Sequence, residues 1–355
     1  IDKGLFFEEE CLSFNGKVDP LASIFYVLSR MEEYTSVDSD SHSRFEGKNS
    51  VLFRFKWNEK VSCDIWCEDI INYLLKHRLL TNKGVKPSLS LLPTFDIDNA
   101  YAYKYKGFSR TVLATLKDLL FGRKKRLIER QRVQTGILKD PFDTFDKITS
   151  LKDRNIDFKL FWLLGDFAKY DRNISVKNSK QQQLIKKMNE VADIGIHPSY
   201  KSNSYEYYLH NEIERLEAII NKRVHFSRQH FLVLKFPYTY KTLIEQEITD
   251  DYSMGYADIC GFRAGTSRPF KWFDLTKNET TKLNIHPFAF MDGTLNEYLK
   301  LTPKEAIEKI RLLFDEVKKY GGQFSFIWHN ETIGNYGIWK DWSEVFDFSI
   351  DLNIK

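Results

Sequence analysis

Cysteine is scarce, with four residues in 355 (Cys11, Cys63, Cys67 and Cys260) and no C-x-x-C pair among them. That excludes a disulfide-stapled scaffold. Long apolar runs are missing too. No stretch reaches the roughly 18 uninterrupted apolar residues that a spanning helix needs. Charge of one sign is also lacking, since 53 Lys and Arg against 49 Asp and Glu leave +4 over the chain. A surplus that small does not by itself suit nucleic acid. No fixed-period repeat and no low-complexity tract appears. Because the chain begins with Ile1, a removed leader is left open. Aromatics are plentiful at 15%, useful as core filler and as platforms for sugar rings.

What recurs is a strand followed by a helix. Short β-branched and aromatic runs near 89–95, 158–164, 193–197, 224–228, 259–263, 284–290 and 323–328 read as buried strands. Between them, 303–320 has helical periodicity through Ala306, Ile307, Ile310, Leu313, Phe314 and Val317. Its ends carry a Thr302/Glu305 capping box, Pro303 at the first position and Gly321 after the last turn. The stretch 205–222 repeats the pattern. Such alternation predicts an α/β fold on a mostly parallel sheet, open or closed into a barrel. Residues 1–88 break the rhythm and read as an α+β accessory region: a helix over 19–34, a polar loop over 35–47 and a strand over 50–57.

Positive charge is concentrated in one segment. Between Lys104 and Lys139 eleven basic residues face only Asp118 and Glu129, a local charge of +9 that leaves −5 for the rest. Val112, Leu113, Leu116, Leu119, Leu120, Leu127 and Ile128 interleave with them. The expectation is an inserted amphipathic helix that buries its apolar side on the barrel. The expected location is the cytoplasm, with peripheral contact of residues 104–139 with an anionic inner membrane as the alternative.

In parallel α/β folds reactive side chains gather where strands end at their carboxyl termini. Here those ends are polar. The first strand ends Thr94-Phe95-Asp96-Ile97-Asp98, whose two carboxylates leave on the same side and repel unless a cation or proton intervenes. A D-x-D turn capping a helix is the plainer alternative. The third ends at His197-Pro198, the fourth carries Arg228 and His230, the fifth ends Gly261-Phe262-Arg263-Ala264, and the last ends Phe326-Ile327-Trp328-His329. Only eight histidines exist in the chain, yet three fall at these ends together with two Asp and two Arg. The joint placement favours a hydrolytic metal site.

In this order the residues resemble the polysaccharide deacetylase family (carbohydrate esterase family four, the NodB-homology domain) over about 89–330. The likeness is to a divergent bacterial member. Thr94-Phe95-Asp96 looks like its first motif, with Ile97 inserted before Asp98. The resemblance implies that Asp96 is the general base and Asp98 a metal ligand. His197 matches the first histidine of the family's H-[ST]-x-x-H pair, whereas the second position is Lys201, so His230 is the expected third ligand. Arg228 looks like the arginine that orients the base, and His329 like the general acid. Gly261-Phe262-Arg263-Ala264 resembles a variant motif, which makes Arg263 a candidate for substrate binding, beside Trp328 as a stacking platform.

The implied fold is a distorted (β/α) barrel of about seven parallel strands over 89–355, carrying a basic helical insertion near 104–140. The implied cofactor is a divalent metal, zinc foremost, with cobalt, manganese or nickel also suited. The implied activity is metal-dependent removal of an N-acetyl or O-acetyl group from a carbohydrate. Two rivals stand beside it: a catalytically degenerate glycan-binding barrel, which Lys201 would favour, and hydrolysis of an acetylated lipid-linked sugar at the membrane. A thiol nucleophile at Cys260 has no support from its surroundings.

Overall fold

The computed structural model describes residues 1–36 and 39–352, so Val37 and Asp38 of the expected polar loop lie outside it. By contact the chain forms two compact units. One comprises 1–93, 225–327 and 348–355, the other 94–224 and 328–347.

The first unit begins with a small antiparallel sheet, β1 (Asp2–Leu5), β2 (Glu10–Phe14) and β3 (Lys17–Val18). Helix α1 (Pro20–Leu28) follows, with the Asp19 side chain accepting from the Ala22 N–H and Pro20 in the first turn. Arg30, left-handed at φ 55°, separates it from α2 (Met31–Thr35), so the expected single helix over 19–34 is two. The expected strand over 50–57 is instead the short helix α3 (Val51–Arg54). Ser50 decides the outcome, because its hydroxyl accepts the Phe53 N–H and caps a turn. Helix α4 (Ser62–Lys76) places Cys63 and Cys67 one turn apart as free thiols.

The chain then enters the eight-stranded sheet through β4 (Leu89–Ile97) and, in the second unit, makes α5 (Phe108–Leu120), α6 (Lys124–Gln134), α7 (Phe145–Asp153), β5 (Lys159–Trp162), α8 (Ser179–Asn189), β6 (Asp193–Ile196) and α9 (Glu206–Ile220). Pairing of β4 with β5 and of β5 with β6 is parallel. The first unit resumes with β7 (Phe226–Ser227), α10 (Tyr238–Glu245), β8 (Asp250–Asp251), β9 (Phe270–Asp274), β10 (Glu279–Ile285) and α11 (Pro303–Tyr320). Then β11 (Gly322–His329) and α12 (Ser343–Ile350) close the chain. Strand order is β11-β4-β5-β6-β7-β8-β10-β9. This is the expected α/β class, a distorted, mostly parallel barrel-type sheet with a small N-terminal antiparallel sheet.

Two departures matter. The run 259–263 is not a strand, and the edge strand β9 is antiparallel to β10. Around Gly261 the backbone takes φ +124°, and a Cβ there would sit 2.0 Å from the Asn58 carbonyl oxygen. Residues 260–264 are nonetheless buried, so the apolar run marks a buried loop rather than a strand. Helix α11 matches expectation, with its capping box formed and Gly321 at φ 76°.

The α5–α6 hairpin inverts the usual burial. Its buried side chains are Asp118, Arg130 and Val133, with Arg130 Nη2 2.6 Å from Asp118 Oδ2. Phe108, Leu113, Leu120 and Phe121 are exposed by 87, 67, 85 and 66%. The expectation that this insertion buries its apolar side is therefore corrected. The polar pair takes the interior, and the leucine face stays in solvent.

Candidate functional site

Sheet register brings the central residues together. Ile97 pairs with Trp162 and Trp162 with Ile196, so Asp98, Leu163 and His197 are the first residues beyond the ladder on three adjacent strands. The Leu163 N–H still donates to the Ile97 carbonyl at 3.2 Å and the His197 N–H to that of Trp162 at 3.0 Å. Two strand spacings separate the backbones of β4 and β6, about 10 Å. Asp98 and His197 lean across that gap, with His197 Nε2 3.2 Å from Asp98 Oδ1 and 3.8 Å from Asp96 Oδ2. At the end of β11, His329 Nε2 stands 4.0 Å from Asp98 Oδ2. Asp96 and His197 are buried, while Asp98 and His329 are partly open.

Among the described residues one group of side chains has metal-cage spacing: Asp98, His197 and His230 each offer a ligand atom, all within 4.8 Å of one another. One carboxylate and two imidazoles suit a borderline divalent cation and leave positions open for water or substrate. The cluster could hold such an ion.

His230 reaches its place differently from expectation. It follows β7 by three residues, in a turn where Phe231 has φ 60° and Leu232 φ 55°, so it does not share a strand face with Arg228. Bulky residues at positive φ are uncommon and need support. The N-terminal region supplies some. Arg44 Nη1 donates to the Phe231 carbonyl at 3.0 Å, and Asp40 holds Arg44 at 2.7 Å. The turn that carries His230 is thus tied to residues that follow a different rhythm in the sequence.

Supports of the other residues of the cluster could not be read from spacing. Asp140 accepts the N–H groups of Ala102, Tyr103, Lys104 and Phe142 at 2.7 to 3.1 Å, which fixes the loop after Asp98. Glu212 on α9 accepts the Ser199 N–H at 2.8 Å, two residues past His197, and burial pushes its carboxyl up to about 7. Gly165 is required beside it, because a Cβ would lie 2.5 Å from that of Ser199. The buried Asn330 follows His329 and donates to the carbonyls of Asn99 and Phe142 at 3.0 and 2.8 Å.

Other expected residues are placed as follows. Arg228 is fully buried and donates Nε to the Tyr252 carbonyl at 3.0 Å. Arg263 is 2% exposed, donates Nε to Glu33 at 2.9 Å and Nη1 to the Gly255 carbonyl at 3.0 Å, and pairs again with Glu33 through Nη2. A substrate anion would have to displace Glu33. Trp328 has no exposed surface and meets Phe346 edge-on at 5.4 Å, so as it stands it offers no face to a sugar. Lys201 is exposed, with its ammonium 4.2 Å from the centre of the Tyr208 ring. Burial pushes the Cys260 thiol up to about 12, away from thiolate chemistry.

Comparison with known proteins yields limited likeness. A family of unknown function, DUF7033, matches residues 2–79. No curated protein matches. Among solved structures, the chain is similar to a probable polysaccharide deacetylase from Pseudomonas aeruginosa PAO1, at 10% identity over 74% of this chain and 83% of that one, TM-score 0.44. It is similar to the polysaccharide deacetylase Bc1974 from Bacillus cereus, at 12% identity over 69% and 80%, TM-score 0.31. A CE4 family pseudoenzyme from Bacillus anthracis also matches, at 10% identity over 75% and 59%, TM-score 0.33. With identities this low, function has to be argued from the site's own chemistry.

Proposed function

We propose that the protein is a metal-dependent hydrolase that removes an acetyl group from an N-acetylated (or O-acetylated) carbohydrate. The observation that carries it is the convergence of Asp96, Asp98, His197 and His329 from three strand ends within 4.0 Å contacts. A divalent cation on Asp98, His197 and His230, zinc foremost, would supply Lewis acidity to the acetyl carbonyl and acidify water.

The chain's own residues do the rest. Asp96, buried at the end of β4, takes the proton of the attacking water as the new C–O bond forms. His329, partly open, gives its proton to the departing amine as the C–N bond breaks. Arg228 is assigned the orienting of Asp96. The products are acetate and an amino sugar.

Acetate release from a panel of N-acetylated sugars, with zinc, cobalt, manganese or nickel added, tests this reading. Wild type should turn over and Asp96→Asn should lose nearly all activity while still binding metal. Metal binding with no turnover of any acetylated sugar by wild type would favour the degenerate glycan-binding barrel, a reading to which the turned-away Lys201 lends weight.

Membrane contact has its own support. The exposed leucines and phenylalanines of α5 and α6 are interspersed with exposed Lys117, Arg123, Lys124, Lys125 and Arg126, a combination that suits an anionic bilayer surface. Among the described residues no helix is long and apolar enough to cross a membrane. Sedimentation with phosphatidylglycerol vesicles should carry the protein down. Neutralising Arg123 to Arg126 should release it, and no sedimentation of wild type would reject the contact.

A further inference from the structure

One residue past Asp98, a cavity of about 710 Å³ opens along the loop from Asn99 to Lys106, helix α5 and the loop 167–172. Its lining includes Lys106, Arg110, Lys117, Arg126, Arg130 and Arg172 and not one carboxylate. Two of these are committed elsewhere, since Arg130 and Arg126 lie 2.6 and 3.8 Å from Asp118. Lys106 and Arg110 differ. Among the described residues neither has a carboxylate within ion-pair distance.

Both are held by neutral groups. Lys106 Nζ donates to the side-chain oxygen of Asn99, the neighbour of Asp98. Arg110 donates Nη1 to the Asn173 carbonyl at 2.8 Å and Nη2 to the Arg172 carbonyl at 3.0 Å, with its guanidinium 4.0 Å from the centre of the Phe167 ring. The same two cations also line a second cavity of about 700 Å³, together with Gly107 at the start of α5 and with Asp166, which pairs with Arg215 at 3.1 Å. The uncapped N-terminus of that helix adds positive potential to theirs. Desolvation first and Arg110 second bring the Lys106 ammonium down to about 8, with the more distant Glu331 and Asp140 opposing them.

We propose that Lys106 and Arg110 form a subsite for a phosphoryl group, so that the acetylated substrate carries a phosphate beside the sugar that is deacetylated. This rests on the deacetylase reading for the sugar, but not for the anion. A phosphoryl group fits better than a carboxylate. Two partly desolvated cations with Arg172 beside them call for more than one negative charge, and the Arg110 N–H groups not directed at the Asn173 and Arg172 carbonyls can donate to phosphate oxygens. Cavities of this size hold a group larger than a free ion.

Calorimetric titration of the full chain with N-acetylglucosamine 1-phosphate, N-acetylglucosamine and N-acetylmuramic acid tests the subsite without any turnover. The phosphorylated sugar should bind about tenfold or more tightly than the neutral one, the worth of one charge-assisted contact. Lys106→Met and Arg110→Met should each bring that preference to within about twofold. Their affinity for the neutral sugar and their thermal midpoints should stay unchanged, and Lys106→Arg should retain the preference. Asp98→Ala should keep it as well, whatever becomes of activity. If Asp96→Asn leaves acetate release intact while the preference stands, the deacetylase reading fails and the subsite survives.

Equal affinity for the phosphorylated and neutral sugars overturns the proposal. So does a preference that persists in both methionine variants, and so does muramic acid binding as tightly as the phosphate. A further arm separates the sources of phosphate. Phosphatidylglycerol vesicles that displace the sugar phosphate from wild type, but do not bind the methionine variants, would assign the subsite to a lipid headgroup. Vesicles that leave it bound would assign it to the saccharide.

Discussion

Two buried charge clusters in this molecule are built from similar residue types and do opposite things. In the first unit Arg30 and Arg263 flank Glu33, Arg30 also reaches Glu32, and the remaining donors end on backbone carbonyls. Every charge there meets an opposite charge of the same chain, and the set is closed. At the strand ends Asp96 and Asp98 face imidazoles instead, groups that bind a metal as neutral donors. The contrast separates a clamp from a site. Arginine against carboxylate completes itself, whereas the paired carboxylates and imidazoles at the strand ends could share a cation.

The comparison can be broken in four ways. The largest effect is expected at Asp98: Asp98→Ala should abolish bound divalent metal by elemental analysis and cut acetate release about a thousandfold or more, with circular dichroism unchanged. Metal retained at full stoichiometry would mean the strand-end cluster is another clamp. Next, Glu33→Gln should destabilise the fold by about 3 to 5 kcal/mol, because it leaves the buried Arg263 guanidinium without its carboxylate and Arg30 with Glu32 alone. Urea unfolding measures this, and metal stoichiometry below the midpoint should not move.

Glu212 gives a smaller effect that depends on pH. Burial raises its carboxyl from 4.5 to about 7, so between those values the native state holds a proton that the unfolded state has released. The stability this gives is present below about 4.5 and is lost as pH rises through about 7. Glu212→Gln mimics the protonated form. Its stability relative to wild type should therefore climb from pH 5 to 7 and level off near 8 at a gain of about 3 kcal/mol, read from thermal midpoints across that range. A gain that is flat with pH would refute the buried carboxyl. Smallest of all, Leu113→Ser with Leu120→Ser on the exposed face of α5 should change stability by about 0.5 kcal/mol or less. A loss of several kcal/mol would show that this face is packed after all.

Legibility in the sequence followed the range of the interactions. Helix α11 could be read to its caps because Thr302, Glu305 and Gly321 act on neighbouring backbone. Strands β4, β5, β6 and β11 could be read because both faces of a parallel strand are buried and the apolar run is continuous. The placing of Asp98 beside His197 follows from strand register once the order is known. The run Ser50 to Trp57 misled because a strand-like pattern was overruled by one capping hydroxyl. The run 259–263 misled because a buried loop shows the same apolar signature as a strand. Asp140 and Glu212 carried no signal at all, since each is defined by the backbone it holds far away in sequence. In α5 the periodicity was correct and the direction was not, because the Asp118–Arg130 pair took the interior.

Asp140 has one more consequence. Its carboxylate grips residues 102–104 from just beyond the insertion, so the peptide leaves for the α5–α6 hairpin and comes back at a single anchored root. An appendage tethered in that way can carry a fluorescent reporter at its distal turn, near Gly122, with Lys106, Arg110 and the strand-end cluster left in place, which makes that turn the natural handle for engineering where the protein goes.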